Sequence, residues 1–397
     1  MKHELFSVII LCYRHFEYLP SAIDSVLAQD YPNIELIVSD DGSPNFPKEE
    51  LEAYIAQHKG DNITQVTIRQ QPQNGGTVRH LNSAIQACSG AYIISLSGDD
   101  NLYNERVLSS YVEGFRNAPE NCCIEMAHSG MYDEDLKVLT SYYLKPDVQQ
   151  AIEATKTDSA PLMEALIRLG ACLPSTSTCF KKEFFQRFGA FDERYTLVED
   201  FPMHIRLAKE GWIIHYANFV AIKHRHGGIS HGQSDTLSRS KVLYFEDSRN
   251  MIENLTLQNL QAVSPKEGKK VSFRKKRERD WINFQLAKSE KKPLKMLRLA
   301  ARHPAYSLST VLQRLFWPAT RVQKPLLGAA LFLGLFGPVI SAMLQTVTLG
   351  RWYLPPIFFL TTTFILSLLW LVCKMIVWLQ MLLWKLQTFP KESLTIG

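Results

Sequence analysis

Two adjacent carboxylates, Asp99 and Asp100, close the run Ser95-Leu96-Ser97-Gly98-Asp99-Asp100-Asn101. Residues 91–96 ahead of them are mostly apolar and read as a buried strand. Successive side chains of a strand point to opposite faces, so the two acids cannot both address one atom. One can meet a substrate hydroxyl while the other meets a hard cation. Mg²⁺ and Mn²⁺ prefer oxygen ligands and often bridge to phosphate oxygens. Ligands of open α/β sheets gather at the carboxyl ends of the strands. Gly-Asp-Asp-Asn is also good turn chemistry, so the pair alone leaves both readings open.

Periodicity supplies the elements that must hold this pair. Residues 6–13, 34–38, 65–69 and 91–96 read as strands. Between them lie a helix from Pro20, with Ile23, Val26 and Leu27 on one face, and helices over 47–58 and 77–88. This alternation means parallel βαβ units with right-handed crossovers, an α/β fold. The turn after strand one, Leu11-Cys12-Tyr13-Arg14-His15, has no glycine, which excludes a GxGxxG dinucleotide site; a P-loop is absent too. Strand two ends in Asp40-Asp41-Gly42-Ser43, and Asn74-Gly75-Gly76 turns the chain into the third helix, with Arg79 on its first turn.

Farther on, residues 121–143 hold two β-type runs around Asp133-Glu134-Asp135. Residues 161–169 and 181–188 read as helices and 174–180 as a strand. Val198-Glu199-Asp200-Phe201-Pro202 opens a helix to Glu210. Acidic residues at a helix N-terminus are favoured by capping and by the dipole, whatever else they do. In Lys223-His224-Arg225-His226-Gly227-Gly228, an imidazole could complete the shell of a transition metal, and His226 is the best placed.

The chain has 397 residues, 46% hydrophobic and 21% charged, with a net charge of +5. Its seven cysteines form no CxxC pair, which suits a reducing compartment without structural zinc. Residues 266–279 carry eight Lys or Arg against two Glu. No aromatic stacking platform is interleaved there, so an anionic bilayer surface is a better partner than nucleic acid. Residues 294–324 mix Leu, Phe and Trp with Arg, as in a helix lying in a membrane interface. Residues 326–347 and 354–373 carry no charge over 22 and 20 positions, each long enough to span a bilayer as a helix. Lys and Arg flank the outer ends of this expected hairpin, which places both termini in the cytoplasm.

The run Ser7-Val8-Ile9-Ile10, the segment Glu35 to Ser43, Asn74-Gly75-Gly76 and the Asp99-Asp100 pair resemble, in order and spacing, the family 2 glycosyltransferases over residues 5–232. The resemblance implies a GT-A fold and an inverting, metal-dependent transferase. It implies that Asp41 contacts the nucleotide base, that Asp99 reaches the ribose or donor sugar, and that Asp100 holds a Mn or Mg ion on the diphosphate. Arg79 would add a cation near the phosphates. Asp200 would be the catalytic base, with Glu199 as its fallback, and His226 would lie at the metal. Arg14 stands where the family usually has Asn, and Leu81-Asn82 replaces an Arg-Asn pair, which bears on the donor.

The expected organisation is a nucleotide-sugar half over 1–115 and an acceptor half over 116–235. A basic helical linker and interfacial helix would follow over 236–325, then the membrane hairpin over 326–385 and a tail over 386–397. The expected activity moves one sugar from a nucleotide-sugar donor, a UDP-sugar favoured, to a lipid-linked or glycan acceptor. It would work at the cytoplasmic face of the cytoplasmic membrane, in cell-envelope polysaccharide biosynthesis. The rival readings are a processive synthase, which would need a QxxRW motif and more spans, and a non-catalytic membrane scaffold on the same fold.

Overall fold

In the computed structural model of the chain, which describes residues 3–225, 238–302, 327, 329–333 and 356–387, the first two strands are buried on both faces. They are β1 (Phe6–Cys12) and β2 (Ile34–Asp40), paired in parallel. Strands of this kind belong in mid-sheet, with helices covering both sides. β3 (Ile63–Gln70) adds in parallel to β2, and β4 (Tyr92–Ser97) adds in parallel to the other side of β1. The connecting helices are α1 (Leu19–Leu27), α2 (Lys48–His58) and α3 (Thr77–Gln86), so the expected βαβ units are present. From β3 at one edge, α3 carries the chain to β4 on the far side of β1. Strand order therefore reverses between β1 and β4, and the carboxyl ends at such a point are where ligands gather.

The rest of the sheet comes from β5 (Asn101–Leu102), β6 (Ile124–Tyr132), β7 (Leu139–Tyr142), β8 (Thr178–Lys181) and β9 (His215–Arg225). Among the described residues the order is β3-β2-β1-β4-β8-β6-β9-β5, with β7 on β6. Helices α4 (Val107–Asn117), α5 (Pro146–Ala154), α6 (Ala160–Leu169), α7 (Lys182–Phe188) and α8 (Asp200–Glu210) cover it. Strand alternation sorts the core into two layers. Phe6, Val8 and Ile10 pack with Leu19, Ile23 and Val26 of α1. Ile9 and Ile37 face the other way, in the layer that holds Val78 and Leu81 of α3 and Phe201 and Ile205 of α8.

One expectation changes in this half. The strand expected over 174–180 starts only at Thr178, because Pro174 has no N–H to offer and the Thr178 amide turns back 3.1 Å to the Ser175 carbonyl. The basic run that includes Lys223, His224 and Arg225, given no element from the sequence, ends an 11-residue strand, β9. β9 pairs in parallel with β6 and antiparallel with β5, setting Lys223 opposite Asn101.

After residue 238 the chain is helical. Ser238 caps α9 (Arg239–Met251), its hydroxyl accepting the Lys241 amide at 3.2 Å. A π turn (Ile252–Thr256) and a 3₁₀ turn (Leu257–Ala262) lead to α10 (Pro265–Ser289), which carries the basic run. Phe245 and Ile252 cluster with Ile282 and Leu286. The chain divides into one compact unit that takes in Met1–Ser289 and another over Glu290–Lys391.

The second unit contains α11 (Pro293–Arg302) and α12 (Pro356–Gln387). Of the expected first span, 326–347, only 327 and 329–333 fall within the described residues. The second falls on α12. Among the described residues no helix is long and apolar enough to cross a membrane, and the expected hairpin is without support.

Candidate active site

β1 and β4 finish side by side, with Leu11 opposite Ser97, and Cys12 lies opposite Asp40 of β2. The Gly98 amide continues the β1 ladder with a 2.8 Å bond to the Leu11 carbonyl, so the acid pair emerges at this edge. The pair lies in the turn after β4, closed by the Asp100 amide on the Ser97 carbonyl at 3.0 Å, and the two acids differ in surroundings. Asp100 is wholly buried, and Asp99 is partly exposed. Asp100 Oδ1 accepts the Arg225 amide at 2.9 Å, and its Oδ2 lies 2.8 Å from His224 Nδ1. Arg225 donates Nε to the Asp99 carbonyl at 2.8 Å and a terminal nitrogen to the Glu134 carbonyl, and its guanidinium lies 3.9 Å from the centre of the Tyr18 ring. Burial, and then the Asp100 charge, push the Asp99 carboxyl above the ordinary value. Burial opposes charging of His224, but the adjoining Asp100 carboxylate prevails and raises it.

Asp41 is spent differently. Its Oδ1 accepts the Gly75 amide at 2.9 Å and its Oδ2 the Gly76 amide at 3.0 Å, holding the N-terminus of α3. Burial raises its pKa, and these two bonds partly offset the rise. Gly76 has φ +83°, and a Cβ there would come within 2.5 Å of Thr196 Cγ2 and 2.7 Å of the Thr196 carbonyl. Only glycine lets α3 begin against the 196 segment, and the Val78 amide bonds that same carbonyl at 3.2 Å. Arg79 pairs with Glu193 at 3.3 Å, both side chains well exposed. Asn82 donates to the Phe191 carbonyl at 3.0 Å and accepts its amide at 2.9 Å, tying α3 to the following loop. Arg14 takes φ +66°, a left-handed conformation that costs a β-carbon-bearing residue but suits Asn.

Glu199 and Asp200 open α8, and Asp200 Oδ1 accepts the Phe201 amide at 2.6 Å. Burial raises Glu199 to about 7, with the Asp200 charge adding to it and a Ser175 hydrogen bond opposing it. Burial likewise raises Asp200 to about 6. Burial, and after it the Asp200 charge, raise the phenols of Tyr143 and Tyr244. Two carboxyls poised near neutrality suit proton transfer at physiological pH.

His226 lies outside the described residues. His224, near the end of β9, is the imidazole that meets Asp100. Arg225 is a further residue the sequence does not single out, since the end of β9 brings it to Asp99 and Asp100 from 125 positions along the chain. Among the described residues no group of three His, Cys, Asp or Glu could hold a metal ion. Beyond its bond to the Arg225 amide or its contact with His224, each Asp100 oxygen keeps a further lone pair, which suits an ion bound by one carboxylate with substrate phosphate and water in its other positions.

Residues 7–169 match the family model described as Glycosyl transferase family 2. An uncharacterised glycosyltransferase of Rickettsia prowazekii is 31% identical over 243 residues, covering 61% of this chain and 70% of that protein. A Rickettsia typhi relative is 32% identical over 221 residues, 56% of this chain and 64% of its own length. In a Rickettsia conorii relative the aligned part is only 34% of the protein. Staphylococcus aureus TarS 1–349 in complex with UDP-GlcNAc superposes with a TM-score of 0.46 at 17% identity, covering 78% of this chain and 80% of that one. The chain belongs to glycosyl transferase family 2. It is a glycosyltransferase with a mixed α/β, GT-A-like fold.

Proposed function

We propose that this chain is an inverting glycosyltransferase. It moves one sugar from a nucleotide-sugar donor, a UDP-sugar favoured, to an acceptor hydroxyl, with Asp200 as general base. The observation that carries the reading is the Glu199–Asp200 pair. These two carboxyls open α8 and are lifted by burial to about 7 and about 6. An alcohol is a poor nucleophile until its proton is taken, and a base works best with a pKa near the operating pH. Asp200 removes that proton as the hydroxyl attacks the anomeric carbon, and Glu199 keeps the local charge shared. Asp99 meets the donor sugar or ribose, and Asp41 orders the Gly75-Gly76 turn beside the nucleotide. Asp100 would hold a Mn²⁺ or Mg²⁺ ion, with His226 a further ligand, while the Arg225 amide and His224 fix the Asp100 carboxylate. Such an ion, when bound, stabilises charge on the departing diphosphate.

The test is nucleoside diphosphate release from a panel of UDP- and GDP-sugars by the wild type, Asp200→Asn and Glu199→Gln. The reading expects Asp200→Asn to lose about 10²–10⁴-fold in kcat, the range for general-base catalysis, with donor KM little changed. If Glu199→Gln lost turnover and Asp200→Asn kept it, the two roles would be exchanged. If neither mattered, the base would lie elsewhere.

We propose further that the acceptor is lipid-linked or a growing envelope glycan, presented at the cytoplasmic face of an anionic membrane. Supporting this, α10 exposes Lys266, Lys269 and Lys276 around Phe273, itself 65% exposed. In the other unit, α11 exposes Leu294 and Leu297 next to Lys295 and Arg298. Apolar side chains set among cations are what an anionic lipid surface attracts. Co-sedimentation with phosphatidylglycerol vesicles but not with phosphatidylcholine vesicles is the expected result.

A further inference from the structure

Asp247 lies on α9, beyond residues 7–169 and beyond the segment whose motifs carry the family resemblance, and it is 3% exposed. Its carboxylate does not address solvent or a cation. Oδ1 accepts the Thr196 amide at 3.0 Å. Oδ2 accepts the Thr196, Leu197 and Val198 amides at 2.9, 2.6 and 3.3 Å. One carboxylate thus collects the donors of three successive residues, and the next two residues are Glu199 and Asp200. The same segment is gripped from its other side, where the Thr196 carbonyl accepts the Val78 amide at 3.2 Å and Gly76 packs against Thr196. Gly75 and Gly76 are in turn held by Asp41. A continuous chain of bonds therefore runs from Asp41 through the start of α3 and the 196–198 segment to Asp247, with Glu199–Asp200 attached to it.

We propose that Asp247 is a positioning residue for the base, fixing the entry of α8 so that Asp200 is aimed at the acceptor. Bonds from N–H groups to an ionised acceptor are roughly twice as strong as neutral ones, which suits a carboxylate rather than an amide here. A neutral side chain could not hold three amides equally well. The inference rests on the reading of Asp200 as base, because a base must sit within hydrogen-bond reach of the proton it takes. Misplacement by about 1 Å can cost on the order of 10²-fold.

The test uses the full chain carrying Asp247→Asn and Asp247→Ala, each alone and combined with Asp200→Asn. Nucleoside diphosphate release from UDP-GlcNAc and from GDP-Man is the kinetic readout. Hydrogen–deuterium exchange of the peptide spanning residues 193–200 is the structural one. The expected result is a fall in kcat of about 10–100-fold with donor KM unchanged, larger for Ala than for Asn, and faster exchange at 196–198. In the Asp200→Asn background, Asp247→Asn should cost nothing further, since a residue acting through another is not additive with it. Losses that multiply, or a rise in donor KM matching the fall in kcat, would overturn the proposal. Unchanged exchange at 196–198 would overturn it whatever the kinetics. If Asp200→Asn alone were harmless, the reading of the base would fall, and the exchange data would still decide whether Asp247 holds the segment. Should Asp247→Ala not fold, Asp247→Asn, which keeps one accepting oxygen, carries the same comparisons.

Discussion

Replacing Asp200 by Asn should stabilise the fold while it removes activity. Burial raises the Asp200 carboxyl from 3.8 to about 6, so its ionised form is disfavoured inside the protein. The rise is shared with the adjacent Glu199 carboxyl and screened by solvent at this partly exposed site, so about 1–2 kcal/mol is the working expectation. In a unit of this size that is a rise of roughly 2–8 °C in Tm. Asn keeps the oxygen that accepts the Phe201 amide, so nothing is lost to offset the gain. The pH dependence fixes the sign. A carboxyl whose folded pKa is raised favours the fold below its unfolded pKa of about 4, and that contribution is lost as pH rises through about 6. The variant should therefore exceed the wild type at pH 8, and the gap should close by about pH 4. Thermal melts of both proteins across that range are the assay. A variant that melts at or below the wild type at pH 8, or a gap independent of pH, would refute the argument that burial sets this pKa.

Other consequences follow from single contacts. Gly76→Ala puts a Cβ where Thr196 already sits, at φ +83°, and should cost roughly 1–3 kcal/mol in urea denaturation and lower kcat through the displaced 196–198 segment. Arg14→Asn relieves a left-handed conformation and should raise stability by about 0.5–1 kcal/mol, read from the same denaturation midpoint. Dialysis against EDTA should silence nucleoside diphosphate release and Mn²⁺ or Mg²⁺ should restore it; full activity in EDTA would count against a cation at Asp100.

Much of the sheet could be read in advance because β1, β2 and β4 are buried runs whose apolar residues leave little ambiguity, and the helices between them repeat on one face. The acidic pairs were legible for the same reason: they stand where strands end or helices begin. What could not be read depends on pairing at long range. His224 meets Asp100 only because β9 crosses back to β5, 124 positions along the chain. Asp247 looks like an ordinary helical acid until α9 is laid against residues 196–198. Arg79, expected near phosphates, has Glu193 beside it, a partner from a loop with no periodic signal. The membrane hairpin was inferred from uncharged length alone, and its first half lies mostly outside the described residues.

The most direct test of an inverting displacement driven by Asp200 is proton NMR of the first-formed sugar product. UDP-GlcNAc and GDP-Man are both α-linked donors, and with water standing in for the acceptor hydroxyl the hydrolysis is followed before the free sugar mutarotates. The β anomer should appear first with the wild-type enzyme, and its rate of formation should fall about 10²–10⁴-fold in Asp200→Asn. An α anomer formed first, or an undiminished rate in the variant, would contradict the assignment.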